Sequence, residues 1–126
     1  VFKVDGSCSD WDRYGLLVRA PEPAYGYVFT FTCGGRFRLY YMNGDKYVAI
    51  QEWKASDAIV TGSNATNRMG VWMQGSQIRL YANGKLLGEY TDQKFTEGII
   101  GVHLGAVDTL GLEVRVDEIQ WWDLDK

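Results

Sequence analysis

Along most of this chain apolar and polar residues alternate with a period of two, the pattern of strands that bury one face and wet the other. In RYGLLVRA, residues 13–20, the run ends at Pro21 and Pro23, which cannot donate to a ladder and therefore mark a turn. YGYVFTFTC, 25–33, sets Tyr27, Phe29, Phe31 and Cys33 against Val28, Thr30 and Thr32, and breaks at Gly34-Gly35. RFRLYYM, 36–42, sets Phe37, Leu39 and Tyr41 against Arg36, Arg38 and Tyr40 before NGD turns it into KYVAIQEW, 46–53. Together these four runs predict an antiparallel meander.

Residues 54–66, KASDAIVTGSNAT, keep no period and read as a polar connection wrapping over a sheet edge, with helix as the weaker alternative. In 67–91 the period returns. Met69, Val71 and Met73 alternate with Trp72 and Gln74, Gly75-Ser76 turns, and Ile78, Leu80 and Ala82 alternate with Gln77, Arg79 and Tyr81. Asn83-Gly84 then leads into KLLGEYT, and Asn-Gly suits the two positive-φ positions of a type I′ hairpin. EGIIGVHLG, 97–105, predicts another strand. In LEVRVDEIQWWDL the parity of Leu112, Val114 and Val116 differs from that of Ile119 and Trp121, so a β-bulge is expected at Asp117-Glu118.

About nine short strands divided by turn residues, with no helical period, predict an all-β antiparallel sandwich or jelly roll. The 126 residues suit a single domain over 1–126, large enough to bury a real core. Sixteen acidic and 13 basic residues are scattered singly, so no run of Lys/Arg is set to neutralise successive phosphates, and nucleic acid is not an expected partner. No apolar run is long enough to cross a bilayer as a helix and no signal-peptide pattern is present, so direct membrane insertion is not expected. The opening VFKVDGSCSD lacks an initiator Met and is already strand-like, which suggests a processed or trimmed piece of something longer.

Cys8 and Cys33 do not form a metal-ligand spacing, which leaves a disulfide or two free thiols. One precedes a predicted strand and the other ends the next, so a hairpin brings them to the same end of the sheet. The disulfide is expected on that ground, and it places the protein outside a reducing cytoplasm.

The order of these segments, above all Asn67-Arg68 through Gly84 with G-x-x-I-x-L-Y-x-N-G inside it, resembles bacterial concanavalin A-like lectin/glucanase domains, near the laminin G-like and 3-keto-disaccharide hydrolase-type modules. The resemblance covers nearly the whole chain and implies a concanavalin-like jelly roll. Domains of that kind carry one or two strands and an Asp-rich, Trp-containing segment before the piece matching VFKV. This chain is therefore expected to lack its first strands, and either it has been trimmed or that edge is completed by other residues or another subunit. The implied ligand class is carbohydrate, and the implied setting is an extracellular or cell-surface module of a larger bacterial protein. Related sandwiches also hold structural calcium, for which Asp5, Asp10, Asp12 and Asp108 are loop candidates. No other cofactor is expected.

Catalysis finds little support in the residues. Glu113, Asp117 and Glu118 are the nearest approach to a hydrolase carboxylate motif, but Glu113 and Asp117 fall about 13 Å apart on a strand, too far for either glycosidic mechanism. His103 is the single histidine. With Ser63, Ser76 or Asp108 it could imitate a triad, yet no nucleophile elbow is present. The NAT sequence at 64–66 matches a glycosylation sequon and carries no weight in a bacterial protein. Sugar binding by stacking needs flat rings with polar neighbours. Once the predicted core is set aside, Arg38, Tyr40, Trp72, Arg79 and Tyr81 remain as one candidate surface, against the plainer reading of Arg-on-aromatic pairs that stabilise a solvated face. The resulting expectation is a non-catalytic recognition module for carbohydrate. A structural subunit that packs on neighbouring protein chains is the alternative, and a glycoside hydrolase-like enzyme the second.

Overall fold

The computed structural model describes residues 1–105 and 111–116. Its strands are β1 (Phe2–Val4), β2 (Arg13–Ala20), β3 (Tyr25–Thr32), β4 (Arg36–Asn43), β5 (Lys46–Ala55), β6 (Thr66–Asn67), β7 (Met69–Gln74), β8 (Gln77–Ala82), β9 (Lys85–Thr91), β10 (Ile99–Gly105) and β11 (Val114–Val116). They form a five-stranded sheet in the order β10-β2-β3-β4-β5 and two three-stranded sheets, β11-β1-β6 and β7-β8-β9. Every pairing among them is antiparallel. The fold is an all-β sandwich, as the alternation predicts, and no described residue is helical.

The five-stranded sheet packs its Tyr14, Val18, Tyr27, Phe29, Phe31, Phe37 and Leu39 against Met69, Ile78, Leu80 and Ala82 of the small sheet, with Phe2 and Val4 of β1 closing one end. Period-two parity fixes which residues point the other way. On β2 these are Arg13, Gly15 and Leu17; on β3, Val28, Thr30 and Thr32; on β4, Arg36, Arg38 and Tyr40; on β10, Gly101, His103 and Gly105. β3 is the middle strand, so Val28, Thr30 and Thr32 on its outer side are also buried.

Several expectations gain a physical explanation. At Asn83-Gly84, φ values of 52° and 84° supply the two left-handed positions of the hairpin. The irregular stretch after β5 is tied down by Asn67, which is fully buried. Its Oδ1 accepts from Val60 N at 2.8 Å and from Asn83 Nδ2 at 2.9 Å, and its Nδ2 donates to Val60 O at 2.9 Å and to the Tyr14 hydroxyl at 2.7 Å. Asn83 Nδ2 also donates to Ala58 O at 2.8 Å. The Asn-Arg to Asn-Gly segment is thus a clip that holds the connection onto both layers.

Other expectations need correction. The meander strand after NGD runs to Ala55, and its pairing with β4 slips between Phe37 and Leu39 and again between Leu39 and Tyr40, so parity counted from Lys46 does not give the side on which Trp53 stands. The edge at β1, by contrast, is completed by other residues, one of the expected routes: β11 and β6 pair it on both sides, and the outermost strands of the large sheet are β5 and β10. The bulge expected at Asp117-Glu118, and Trp121 with it, lies outside the described residues.

Candidate functional site

A cluster of rings and guanidinium groups forms on the outer face of the five-stranded sheet. Trp11 and Trp53 meet edge to face with centroids 5.7 Å apart. The Arg36 guanidinium lies 4.4 Å from the Trp11 ring centre, and those of Arg13 and Arg38 lie 5.0 and 4.4 Å from that of Trp53. Arg38 is also 4.3 Å from the ring of Tyr40, whose other neighbour is Tyr47 at 5.6 Å. Trp11, Arg13, Arg38, Trp53 and His103 are all half-buried, with part of each side chain open to solvent.

Local sequence explains the placement. Arg13 and Arg38 sit on outward parities of β2 and β4, with β3 between them. Gly15 makes the approach of β2 to β3 possible: a Cβ there would stand 1.9 Å from Phe29 O and 2.8 Å from Thr30 Cα. The slipped register of β5 brings Trp53 over the arginines of β2 and β4. Trp11 comes from the loop before β2, which is fastened to the Gly34-Gly35 turn by Cys33 N donating to Asp12 O and Gly34 N to Asp10 O, both at 2.9 Å. The Cys8–Cys33 disulfide, with Cα atoms 5.9 Å apart, closes the same end, and no free cysteine remains.

The floor of the cluster is chemically unfinished. Thr30 Oγ1 and Arg38 Nε are both buried without a hydrogen-bond partner, and the two residues are directly opposite one another across β3 and β4. A buried polar atom left unpaired is costly, and such atoms concentrate where a water, ion or ligand completes the set. Electrostatics mark the same spot. Burial, then the charges of Arg13 and Arg38, hold the His103 imidazole below its ordinary pKa of 6.5. Burial raises the Tyr40 hydroxyl, opposed by the charge of Arg38. Arg36 is balanced by Asp10, Nη1 to Oδ1 at 2.9 Å.

The five residues expected as one surface are separated. Arg38 and Tyr40 belong to this cluster, although Tyr40 is buried under its neighbours and offers no open ring face. Trp72, Arg79 and Tyr81 stand on the outer side of β7-β8-β9, since Val71, Met73, Ile78, Leu80 and Ala82 take the inner parity, so the two groups lie on opposite outer faces of the sandwich. There Arg79 lies 4.3 Å over Trp72, directly across the ladder, and its Nε pairs with Glu89 Oε1 at 3.1 Å. A depression of about 340 Å³ has Arg79 and Glu89 in its lining, and neither orphaned buried atom belongs to the residues that line it. Trp11, Arg13, Thr30, Trp53 and His103 were not among the expected residues. Outward parity on β2, β3 and β10 marks Arg13, Thr30 and His103, whereas nothing local marks Trp11 or Trp53.

The acidic candidates do not converge. Asp12 is buried and its Oδ2 accepts from Ser9 N at 2.9 Å, Asp10 pairs with Arg36, and Asp5 lies 4.0 Å from Arg115. No group of three or more His, Cys, Asp or Glu side chains suited to a metal is found among the described residues, and Asp108 is outside them. Glu113 is exposed, and Asp117 and Glu118 are outside the described residues.

No family model and no curated protein matches the sequence. Among solved structures, the chain is similar in fold to the carbohydrate binding module CBM66 from Bacillus subtilis, with a TM-score of 0.64 and 17% identity, over 80% of this chain and 63% of that one. The chain therefore spans under two thirds of that structure's length.

Proposed function

We propose that this domain is a non-catalytic carbohydrate-recognition module of the concanavalin-like type, working outside the cell, and that sugar docks on the outer face of the five-stranded sheet. The observation that carries the reading is the Trp11–Trp53 cluster above two orphaned buried atoms, Thr30 Oγ1 and Arg38 Nε. Half-exposed indole rings offer stacking surface to sugar C–H groups, and guanidinium donors beside them suit sugar oxygens. The fold of a protein described as a carbohydrate binding module supports the ligand class, and the disulfide supports an oxidising compartment. Among the described residues, the groups that gather at the face are chiefly guanidinium donors and rings, the makings of a binding surface.

The test is calorimetric titration against a panel of soluble polysaccharides and their oligosaccharides. Trp53→Ala is expected to weaken binding roughly five- to 150-fold, the loss of about 1–3 kcal/mol typical of a stacking ring, while Trp72→Ala leaves it unchanged. Equal loss with Trp72→Ala, or none with Trp53→Ala, would move the site elsewhere.

A second reading, a subunit that assembles through sheet edges, is favoured by one observation. The edge strands β5 and β10 expose Tyr47, Val48, Ile99, Val102 and Leu104. Light scattering separates the two: a monomer that responds to glycan supports recognition, and a glycan-indifferent oligomer supports assembly.

A further inference from the structure

We propose that β10 is a pairing edge for a second copy of this chain, the two strands lying antiparallel about a two-fold axis at Val102 so that two large sheets become one. The inference rests on the second reading above, assembly through sheet edges, and specifies the edge, the occupant and the register.

The two edges of the large sheet are built differently. β5 carries Lys46, Glu52 and Lys54, and its pairing with β4 slips twice, both features that keep an exposed edge from finding a partner. β10 reads IIGVHLG, with no Lys, Arg, Asp, Glu or Pro. Among the described residues it is hydrogen-bonded on one side only, to β2. Ile99, Val102 and Leu104 are 70%, 50% and 49% exposed, so an apolar strand presents an open row of backbone groups.

Gly101 points to the occupant. Inside a strand a glycine weakens the element and marks a bend or the close approach of another group. The fold itself does not ask for one here: its φ lies outside the left-handed region, and a Cβ would meet only Leu17, at an ordinary 3.6 Å. Full overlap of β10 with its own antiparallel copy centres on the middle residue, Val102. In that register Gly101 faces the partner's His103 and Gly105 faces the partner's Ile99, so each outward side chain has a glycine opposite it. On the other side Ile100 faces the partner's Leu104 and the two Val102 residues face each other, which sets apolar pairs across the axis. The smallest slip that keeps each face on its own side moves the pairing by two residues. It would leave one end unpaired and set Gly101 against its copy, or His103 against its own.

A two-fold axis normal to the sheet keeps both outer faces on the same side. Trp53 stands on β5, the strand farthest from the joint, so the pairing does not cover it.

Sedimentation velocity over a roughly hundredfold range of protein concentration is expected to show a monomer–dimer equilibrium. Val102 is half exposed, so lysine there is accommodated in the monomer. Val102→Lys brings two like charges together on the axis and should weaken the dimer roughly hundredfold, whereas Val48→Lys on β5 should leave it intact. Gly101→Val is the second variant: its urea midpoint should equal or exceed that of the wild-type chain while its dimer is lost. Register has its own readout. Val102→Cys should cross-link to its own copy on mild oxidation, and Leu104→Cys, whose two copies stand about 13 Å apart along the strands, should not. A monomer at every concentration would overturn this pairing and edge assembly together. A dimer that survives Val102→Lys would overturn β10 alone, and its loss with Val48→Lys instead would leave edge assembly standing.

Discussion

Asn67 uses every hydrogen-bonding position of its amide: two donors, to Tyr14 and Val60, and two lone pairs, to Val60 and Asn83. It is fully buried, so losing the side chain orphans groups in both layers and in the connection between them. Asn67→Ala is expected to lower unfolding free energy by about 3 kcal/mol, measured as a shift in urea midpoint at constant slope. A change under about 0.5 kcal/mol, the size of a surface substitution, would show that water replaces the amide without penalty. At this scale the sequence was partly readable. Asn67 and Asn83 stood inside the most distinctive segment of the chain, but their partners Tyr14, Val60 and Ala58 come from elsewhere, and no local pattern announces a bond across 53 residues.

At the scale of elements, the parity of β2, β3, β4 and β8 was legible because each buries one face against the other layer, which forces alternation into the sequence. β5 was not, since two slips in its pairing with β4 leave Trp53 on a side that counting by twos cannot predict. The loop before β2 depends on staples. Cys8 and Cys33 enclose a sequence separation of 25, for which the chain-entropy model gives about 3.5 kcal/mol. The Cys8→Ser/Cys33→Ser variant is expected to lose about that much stability by thermal or urea unfolding. Its glycan affinity should fall as well, since Trp11 rides on the loop that the bond fastens. Identical unfolding curves for the oxidised and reduced wild-type protein would contradict this.

For the whole molecule, buried ionisable groups bound the pH range of stability. His103 has its pKa lowered by folding, so as pH falls through 6.5 the unfolded chain takes up a proton before the native one does, and stability is lost on the acid side. Tyr14 and Tyr27 are both pushed up from 10.0 to about 12, chiefly by burial; the Asn67 hydrogen bond opposes the rise for Tyr14, while the Asp92 carboxylate adds to it for Tyr27. Above pH 10 the unfolded chain loses those protons first, and stability falls up to about pH 12. A urea-midpoint profile against pH should therefore show a plateau bounded on both sides, with the acid limb reduced in His103→Gln. An acid limb unchanged in that variant would assign it to carboxylates instead.

The chain by itself determined the class of fold, the meander, the type I′ turn and the pairing of the cysteines. These follow from a period of two, from the backbone freedom of Asn-Gly, and from the fact that a hairpin returns its ends to one place. The candidate face was decided only in three dimensions. Arg13, Thr30, Arg38, Trp53 and His103 are scattered along the sequence as single outward residues, and hydrogen-bonded register sets them on neighbouring strands of one sheet. Guanidinium groups that look dispersed in the sequence, with no basic run, gather over two indole rings once β3 brings β2 and β4 to either side of itself. Register is a property of pairs of strands, so a pattern read along one strand at a time cannot contain it.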